Sequence, residues 1–444
     1  MSPNQNLADV VAAGRSKTTY WLAPGRHRLG NGAYEQVVPR TGDTFVGAPG
    51  AVLDGRHRSR YAFSGNASGV TISHLVIQNF GSVGGNNNEG VVNHDSAAGW
   101  TITASTVQDN AGAGLMVGSG NTVVGNCLRN NGQYAFNAYH ADGVSKVVLS
   151  GNEISGNNTD DWERRRPGCG CTGGGKFWAT NTAVVTGNYV HDNHGVGFWA
   201  DTNNANFLFR GNYISGNADE GLMYETSYNA TILENAFVRN ALRKGPTNPS
   251  FPAAAVYLSE SGSDRRVAGP YGTGFRVAGN LFIDNWSGIV LWENADRFAG
   301  SPANTSSGTT TLVDPETATE AACRKAENIA RAPFYDDCRW KTQNVLVEQN
   351  TFVLEASEVA RCSADQGCGF NGLFSNYGTY PEWSPFKGYA VADDITFKQN
   401  NVWRDNTYRG PWSFMVRTAG EVVPWRTWQA PPYRQDSGST LSPG

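Results

Sequence analysis

A pair of asparagines with four residues between them recurs along this chain, and it constrains the fold more than any other feature. An apolar residue stands two positions after the first asparagine of each pair. The clearest copies are Asn126/Asn131, Asn152/Asn157, Asn188/Asn193, Asn212/Asn217, Asn235/Asn240 and Asn280/Asn285. Neighbouring copies begin 23–26 residues apart, except where extra residues intervene. A period in this range is typical of solenoids, in which each repeat packs only on its neighbours.

Each repeat contains three short apolar stretches, as at residues 184–187, 189–191 and 198–200. Strands this short pair best with the same strand of the next repeat, which builds parallel sheets along a coil. Asparagine suits the corners because it tolerates left-handed backbone conformations and its amide can bond from coil to coil. We therefore predict an all-β fold, a right-handed parallel β-helix of about ten coils.

Composition and charge exclude several other classes. Glycine supplies 53 of the 444 residues and only 17% of residues are charged, so a coiled coil or a helical solenoid is excluded. A leucine-rich repeat has a similar period, but its leucine ladder is missing here. A formal net charge of −4 with no basic block argues against nucleic acid as a partner. The chain has no 18-residue apolar run, so we expect no membrane partner either.

We predict a single domain over residues 1–444. Residues 1–20 would form an N-terminal cap with a short helix at 6–13, residues 21–415 the coils, and residues 416–444 a C-terminal cap or tail. Insertions on a repeat scaffold usually shape a binding surface. They are predicted at residues 160–174, 243–253, 297–342 and 355–369, the third of them with a helix between 315 and 332.

The seven cysteines favour a disulfide-bonded protein. Cys323 with Cys338, and Cys362 with Cys368, are close in sequence and lie in insertions, so we expect two loop disulfides. Cys127 is a candidate partner for one cysteine of the Cys-x-Cys pair at 169–171. Disulfides persist outside the cytoplasm, and we therefore expect a secreted, extracellular protein. No Cys-x-x-Cys pair recurs and histidine is scarce, so no metal-ligand set is predicted.

The strand after the second asparagine ends in an acid in several repeats. Aligned on that asparagine, with an insertion or a one-residue shift where needed, four acids share one position: Asp201, Glu225, Glu260 and Glu293. Stacked strands lie roughly 4.7–4.9 Å apart, so the acids would form a column about 15 Å long. Like charges at that spacing repel, so at least one acid should have a raised pKa or bind a cation. The column predicts catalytic carboxylates.

Paired carboxylates are the groups that cleave glycosidic bonds. Acids on adjacent coils would be about 5 Å apart, near the retaining separation, and acids two coils apart would be near the inverting limit. Lys176, just before the first strand of the alignment, is a further catalytic candidate as a base. Aromatic and polar side chains near the same coils are candidates for sugar binding. They are Trp178, Trp199, Tyr139, His194 and Trp292, although strict strand alternation would turn Trp292 inward.

Several runs resemble those of a known group. Residues 42–47 and 50–55 look like the entry coils of the pectate-lyase-like superfamily of right-handed parallel β-helix proteins, especially of its secreted actinobacterial members. Residues 195–204 and 224–228 are similar to coil segments of the same group. The resemblance implies the fold over most of the chain and a polysaccharide ligand. It carries over no catalytic residue, because the superfamily includes lyases, hydrolases, epimerases and tailspikes.

Three hypotheses follow for the function. The leading one is a secreted carbohydrate-active enzyme, a glycoside hydrolase that uses two of the four acids and requires no cofactor. The second is a polysaccharide lyase or epimerase that acts on uronic-acid polymers, with Lys176, a histidine or a tyrosine as base and Ca²⁺ in the acid column. The third is a non-catalytic glycan-binding or surface module. All three give the protein a polysaccharide or oligosaccharide partner.

Overall fold

A computed structural model provides the structure of the protein. It describes residues 1–81, 90–171, 173–248, 251–267, 269, 274–298, 301, 317–376 and 382–442. The chain forms two compact units, each described by itself below. Unit 1 comprises residues 1–199 and 211–218, and unit 2 comprises residues 200–210 and 219–444. The prediction of a single domain stays a prediction.

Unit 1 begins with a helix, α1 (Leu7–Ala13), and continues in short strands. A second helix, α2 (Trp162–Arg165), lies in the insertion at 160–174. The strands, in chain order, are β1 (Thr19–Leu22), β2 (Gly25–Arg28), β3 (Thr44–Gly47), β4 (Ala51–Asp54), β5 (Thr71–Ser73), β6 (Val76–Gln78), β7 (Gly90–Val92), β8 (Thr101–Thr103), β9 (Thr106–Gln108), β10 (Ala113–Val117), β11 (Thr122–Val124), β12 (Cys127–Arg129), β13 (Phe136–Ala138), β14 (Val144–Ser150), β15 (Glu153–Ser155), β16 (Gly175–Trp178), β17 (Thr180–Thr186) and β18 (Tyr189–His191).

The next strands divide between the units. They are β19 (Phe198–Asp201), whose first two residues belong to unit 1, β20 (Ala205–Arg210) in unit 2 and β21 (Tyr213–Ser215) in unit 1. The remaining strands belong to unit 2: β22 (Leu222–Glu225), β23 (Tyr228–Leu233), β24 (Ala236–Val238), β25 (Val256–Ser259), β26 (Phe275–Ala278), β27 (Leu281–Ile283), β28 (Ile289–Glu293), β29 (Val345–Glu348), β30 (Thr351–Val353), β31 (Phe370–Ser375), β32 (Val402–Arg404), β33 (Thr407–Arg409), β34 (Ser413–Arg417), β35 (Val422–Val423) and β36 (Thr440–Ser442).

Within each unit the strands form three parallel sheets. Successive strands of a coil go to sheet 1, sheet 2 and sheet 3, so that β11, β12 and β13 each belong to a different sheet. Each described coil gives one strand to sheet 1, with seven in unit 1 and five in unit 2. The predicted all-β coil of parallel strands is confirmed, with slightly more coils than expected. In the described residues, the pair β34 and β35 is the one antiparallel strand pairing.

The repeated asparagines lie at the corners beside sheet 2 and form buried rows of amides. Each side-chain Nδ2 donates to the Oδ1 of the asparagine in the next coil, as predicted. In unit 1 one row runs through Asn126, Asn152, Asn188 and Asn212 at 2.9–3.0 Å. In unit 2 the row runs through Asn235, Asn280, Asn350 and Asn406 at 2.9–3.1 Å. These hydrogen bonds give each buried amide a partner, and an amide buried without one would lower the stability of the fold.

The two ends of the chain protect the coils differently. The side chain of Asn6 caps α1 by accepting from the Ala8 N–H at 3.0 Å, and Leu7 and Val11 are buried, so the predicted N-terminal helix is confirmed. At the other end, β36 pairs with β33 in parallel, so the coil continues beyond residue 415. A short helix, α7 (Trp425–Gln429), packs here over the last coils.

The asparagine row of unit 2 ends at a carboxylate. Asn406 Nδ2 donates to Asp436 Oδ1 at 2.9 Å. Tyr408, Trp428 and Ser439 also donate to Asp436, at 2.7–2.9 Å. Burial raises the pKa of Asp436, and these four hydrogen bonds act against that shift. Asp436 therefore joins the last coils to the C-terminal segment.

The insertions contain short helices and all three disulfides of the described residues. Residues 317–342 form α3 (Glu320–Cys323), α4 (Ala326–Ile329) and α5 (Phe334–Asp337), rather than one longer helix, and residues 302–316 lie outside the described residues. The Cys323–Cys338 and Cys362–Cys368 disulfides are confirmed. A further irregular segment, with α6 (Ala390–Asp393), follows β31; the sequence did not predict it.

The expected pairing of Cys127 is wrong. Cys169 and Cys171 are bonded to each other, with their Cα atoms 5.3 Å apart, and Cys127 is free. Cys127 lies on β12, where its thiol donates to Glu153 Oε2 at 3.5 Å. Burial, together with the charge of Glu153, raises the pKa of the Cys127 thiol to about 11.

We expect Cys127 to react slowly with iodoacetamide in the native protein. At pH 8 a thiol with a pKa near 11 is about one-thousandth thiolate, whereas an ordinary cysteine is about one-quarter thiolate, so alkylation should be roughly 200-fold slower than in urea. The rate should rise about tenfold per pH unit from pH 8 to 10. Mass spectrometry of the alkylated peptide measures it, and equal rates in the native and unfolded protein would contradict the assignment.

Candidate active site

The acids of unit 2 do not form one column. In the register of sheet 3, Glu225 lies opposite Ser259, and Ser259 lies opposite Trp292. Glu260 and Glu293 each come one residue after the register position of Glu225, Glu260 in the turn after β25 and Glu293 as the last residue of β28. The four-acid alignment was therefore one residue out of register at β25 and β28. The backbone of Glu260 has a φ of 44°, which marks the turn after β25.

Asp201 and Glu225 remain side by side. Thr202 follows Asp201 and Thr226 follows Glu225, and the hydroxyls of these two threonines form a hydrogen bond of 3.0 Å. The Asn203 N–H also donates to the Thr226 carbonyl at 2.9 Å. Both carboxylates belong to unit 2 and both residues are half-buried, so they face the surface. Adjacent parallel strands lie roughly 4.8 Å apart, which gives the separation expected of this pair.

Arg297, from the third insertion, lies among these acids. Its Nη1 is 2.7 Å from Glu260 Oε2, and Glu260 is fully buried. Glu260 also accepts hydrogen bonds from the Ser259 hydroxyl and the Asn294 N–H. The charge of Glu260, followed by those of Glu225 and Asp201, raises the pKa of Arg297. One guanidinium thus has three of the four predicted acids within electrostatic reach, and Glu260 fixes its position.

Lys244, from the second insertion, is a further cation near Glu225. Its Nζ is 3.0 Å from Glu220 Oε2, whose side chain is only 4% exposed. The charge of Glu220, and more weakly those of Asp219 and Glu225, raises the pKa of Lys244. Glu225 therefore lies near two cations on two different insertions.

Glu293 has a different environment. It is fully buried and paired with Arg339, which is also buried. Glu293 Oε2 accepts from Gln399 Nε2 at 2.7 Å and from the Thr342 N–H at 3.1 Å. These partners surround the carboxylate and leave it no surface for a substrate. Its prediction as a catalytic acid rested on the column that the register removes.

An aromatic cluster adjoins the acids within unit 2. Phe251 packs edge to face on Trp292 and on Phe374, with ring centroids 5.5 and 5.4 Å away, and the Tyr257 ring lies 6.3 Å from that of Trp292. Burial, followed by the charges of Glu225 and Glu260, raises the pKa of the Tyr257 phenol, so this ring lies beside the acids. Trp292 is half-buried, in line with Glu225 on the outer face, and not inside as strict alternation predicted.

Lys176, Trp178 and Trp199 come together in unit 1. Lys176 is buried, its Nζ donates to the Gly170 carbonyl at 2.8 Å, and the same nitrogen lies 4.2 Å from the centroid of Trp199 and 5.6 Å from that of Trp178. Gly170 lies between the two bonded cysteines, at a φ of 55°, and a Cβ there would meet the Trp199 ring. The disulfide loop thus covers the ammonium group, which contacts two aromatic faces.

The last two predicted residues differ in position: Tyr139 lies beside this group, and His194 lies at a corner of the coil. Tyr139 follows β13 and is half-buried; the register of β13 with β16 places it level with Trp178. His194 is exposed at a corner, where its N–H donates to the Asn157 carbonyl at 2.9 Å and its carbonyl accepts from Asn158. Those backbone contacts account for the position of His194 without a ligand.

The residues that sequence reasoning missed lie mostly in the insertions. Arg297, Lys244 and Phe251 reach the acids or the aromatic cluster from loops, and Glu220 and Tyr257 come from the coils. Opposite charge in an insertion next to a row of acids is the one signal that could have indicated the two cations.

Among the described residues, no group of three or more His, Cys, Asp or Glu side chains has an arrangement that could hold a metal ion.

Comparison with known proteins agrees with the fold of the structure. Residues 89–301 match the family model described as the right-handed β-helix region. The chain is a right-handed parallel β-helix protein. The pectate-lyase-like resemblance agrees with this β-helix assignment. No curated protein matches the chain in sequence. Within the described parts of the β-helix, no helix is long and apolar enough to cross a membrane.

Several solved β-helix structures are similar to this chain. The A-module of the Azotobacter vinelandii mannuronan C-5 epimerase AlgE6 has 14% identity and a TM-score of 0.48, over 98% of this chain and 93% of that one. The Streptococcus pneumoniae surface adhesin PfbA has 10% identity and a TM-score of 0.46, over 94% and 89%. The catalytic domain of Agl-KA has 11% identity and a TM-score of 0.43, over 98% and 63%. At this identity the likeness concerns the fold alone.

Proposed function

We propose that this β-helix protein is a carbohydrate-active enzyme, a retaining glycoside hydrolase with Asp201 and Glu225 as its catalytic carboxylates. The observation that carries the proposal is the position of these half-buried acids on neighbouring strands, beside Arg297. Adjacent strands give about 5 Å between the carboxylates, which matches the ~5–5.5 Å of retaining enzymes. The partner would be a polysaccharide or an oligosaccharide.

The two acids would have different roles. Glu225 lies near the cations of two insertions, Lys244 and Arg297, so we assign it as the nucleophile that forms the glycosyl–enzyme bond. Asp201 would protonate the leaving oxygen and then deprotonate the water that hydrolyses the intermediate. Asp201 Oδ1 already accepts from the Thr202 N–H and hydroxyl, at 2.8 and 2.9 Å, which fixes its orientation.

The other predicted site residues take supporting roles in this proposal. Glu260 positions Arg297, and Trp292 would stack on a sugar ring. Lys176, Trp178 and Trp199 in unit 1 remain candidates for sugar contact, with Lys176 held by the Gly170 carbonyl.

A lyase or epimerase with Ca²⁺ in an acid column has less support, because the four acids do not stack in one column. We place the protein outside the cytoplasm on the strength of its disulfides.

The anomeric configuration of the first product tests the proposal. Proton NMR during hydrolysis of a soluble glycan should show the product first in the configuration of the substrate, before mutarotation. A product of inverted configuration would exclude the Asp201–Glu225 pair as a retaining couple. A product that absorbs in the ultraviolet through a new double bond would identify a lyase and overturn the hydrolase proposal.

A further inference from the structure

The outer face of sheet 3 in unit 2 is accessible at one end and covered at the other. Side chains alternate along each strand, so the register brings outward residues of neighbouring strands into rows. One row runs through Glu225, Ser259, Trp292, Phe374 and Arg417. Glu225 and Trp292 are half-buried, and Ser259 between them is a buried residue whose hydroxyl donates to Glu260. Phe374, one strand beyond Trp292, is fully buried although it belongs to the same outward row.

The cover begins at Trp292 and comes from the second insertion. The Phe251 ring packs edge to face on Trp292 and on Phe374, with ring centroids 5.5 and 5.4 Å away. In the second outward row of the same strands, Val290 is 0% and Met415 is 4% exposed. Outward residues of an open sheet face would keep contact with water, so the sheet is closed here. We call Phe251 and Phe374 the end wall.

The insertion that carries Phe251 is fixed to the coil at its base. Lys244 Nζ is 3.0 Å from Glu220 Oε2, whose side chain is 4% exposed. Gly245 lies so close to the Trp286 ring that a Cβ at this position would overlap with it, and Trp286 is fully buried. Movement of this base away from sheet 3 would break buried contacts. The end wall is therefore part of the folded coil and needs no ligand to form.

The end wall limits the length of a glycan that lies along sheet 3. Trp292 is two strands from Glu225 in register, roughly 9–10 Å along the coil, or about two sugar residues in an extended chain. A polymer bound through its middle would need room for a further ring beyond Trp292. Phe251 occupies that position and packs on Phe374 below it. A chain end needs no such room.

We infer that the end wall makes this an exo-acting site, which takes the end of a glycan chain and holds at most about two sugar residues between the Asp201–Glu225 pair and Phe251. The inference rests on the proposed glycan site but not on turnover. It assigns Phe251 as the residue that determines the mode of cleavage, from chain ends rather than within the chain.

The number of chain ends tests this inference without catalysis. A β-glucan, an α-glucan, a mannan and polygalacturonate are each prepared at two mean lengths that differ by about tenfold. The Glu225→Gln variant is examined by affinity electrophoresis at equal mass of polymer. A protein that binds ends should bind the shorter preparation about tenfold more tightly per unit mass, because about ten times as many ends are present. An open groove would bind both preparations alike.

Two variants, made in the same Glu225→Gln background, test the end wall. Phe251→Ala should reduce the length dependence from about tenfold to about twofold or less, because internal segments can then pass beyond Trp292. Phe397→Ala is the matched control, because Phe397 is 42% exposed in the same unit and stacks on Tyr433. Circular dichroism verifies that both variants are folded. With Glu225 intact, the wild type should release mono- and disaccharides from the start of the reaction.

The outcomes separate this inference from the proposed reaction. Equal binding of the long and short preparations would overturn the inference, and so would a failure of every polymer to bind. A length dependence that Phe251→Ala leaves unchanged, or that Phe397→Ala reduces equally, would overturn the assignment of Phe251. End-dependent binding without cleavage by the wild type would support the inference and sink the hydrolase proposal. Cleavage within the chain, with retained configuration, would do the reverse.

Discussion

Replacing Glu225 by alanine should lower kcat about 10³-fold or more, the usual cost of losing a nucleophile. Sodium azide should restore turnover of an aryl glycoside, because the small anion occupies the space of the lost carboxylate and attacks the sugar directly. The product would be a glycosyl azide of inverted configuration, since one displacement replaces two. Release of the phenol measures the rate, and NMR identifies the azide.

Two further variants make this result specific. Asp201→Ala should slow hydrolysis of substrates with poor leaving groups far more than hydrolysis of activated aryl glycosides, because the latter need no proton. Glu234→Ala is the control: its carboxylate is 59% exposed in the same unit and pairs with Arg210 on the surface. A Glu225→Ala enzyme with a tenth or more of wild-type activity would refute its role as nucleophile.

Replacing Arg339 by alanine should lower the free energy of unfolding by about 3–5 kcal/mol, because it leaves buried carboxylates without their cation. Arg339 is 3% exposed, pairs with Glu293 and lies 3.4 Å from Asp394. Burial lowers the pKa of its guanidinium to about 10, so the side chain stays charged at pH 7. It follows Cys338 directly and fixes the third insertion to the coil. Urea unfolding measures the change.

The comparison variants separate charge burial from general damage. Arg324→Ala removes an exposed arginine of the same insertion, 62% exposed and paired with Glu320, and should change stability by less than about 0.5 kcal/mol. The double variant Arg339→Met with Glu293→Gln should recover much of the loss, because it removes both charges of the Arg339–Glu293 pair while Lys398 still pairs with Asp394. Glu293→Gln alone should lower stability and leave kcat within about threefold of wild type. A loss of kcat comparable to that of Glu225→Ala would instead return Glu293 to the catalytic set.

The fold was largely readable from the sequence because it depends on local, repeated signals. The asparagine pairs mark corners, and each amide bonds to the same residue of the next coil, as in the row from Asn126 to Asn212. A repeated contact of this kind needs no knowledge of distant parts of the chain. The N-terminal helix, with its Asn6 cap, was likewise a local pattern.

The site was less predictable because its contacts join residues far apart in sequence. The insertion at 243–253 shifts the register, so counting from the second asparagine aligned Glu260 with Glu225. In the sheet, Glu225 lies opposite Ser259 instead. Arg297 and Lys244 come from irregular loops, and no periodicity predicts which acid a loop cation will meet. The Cys169–Cys171 bond joins residues two positions apart and was not predicted, because Cys127 was taken as the candidate partner of that pair.

The asparagine row of unit 2 has a direction, and this sets how the protein can be lengthened or shortened. Every amide in the row donates toward the C-terminus, from Asn235 through Asn280 and Asn350 to Asn406, and Asp436 completes it as a group that only accepts. A duplicated coil inserted within the row would keep every donor supplied with an acceptor. A chain cut after Asn406 would leave its last donor without one, so the C-terminal segment acts as a stopper that any shortened variant must retain.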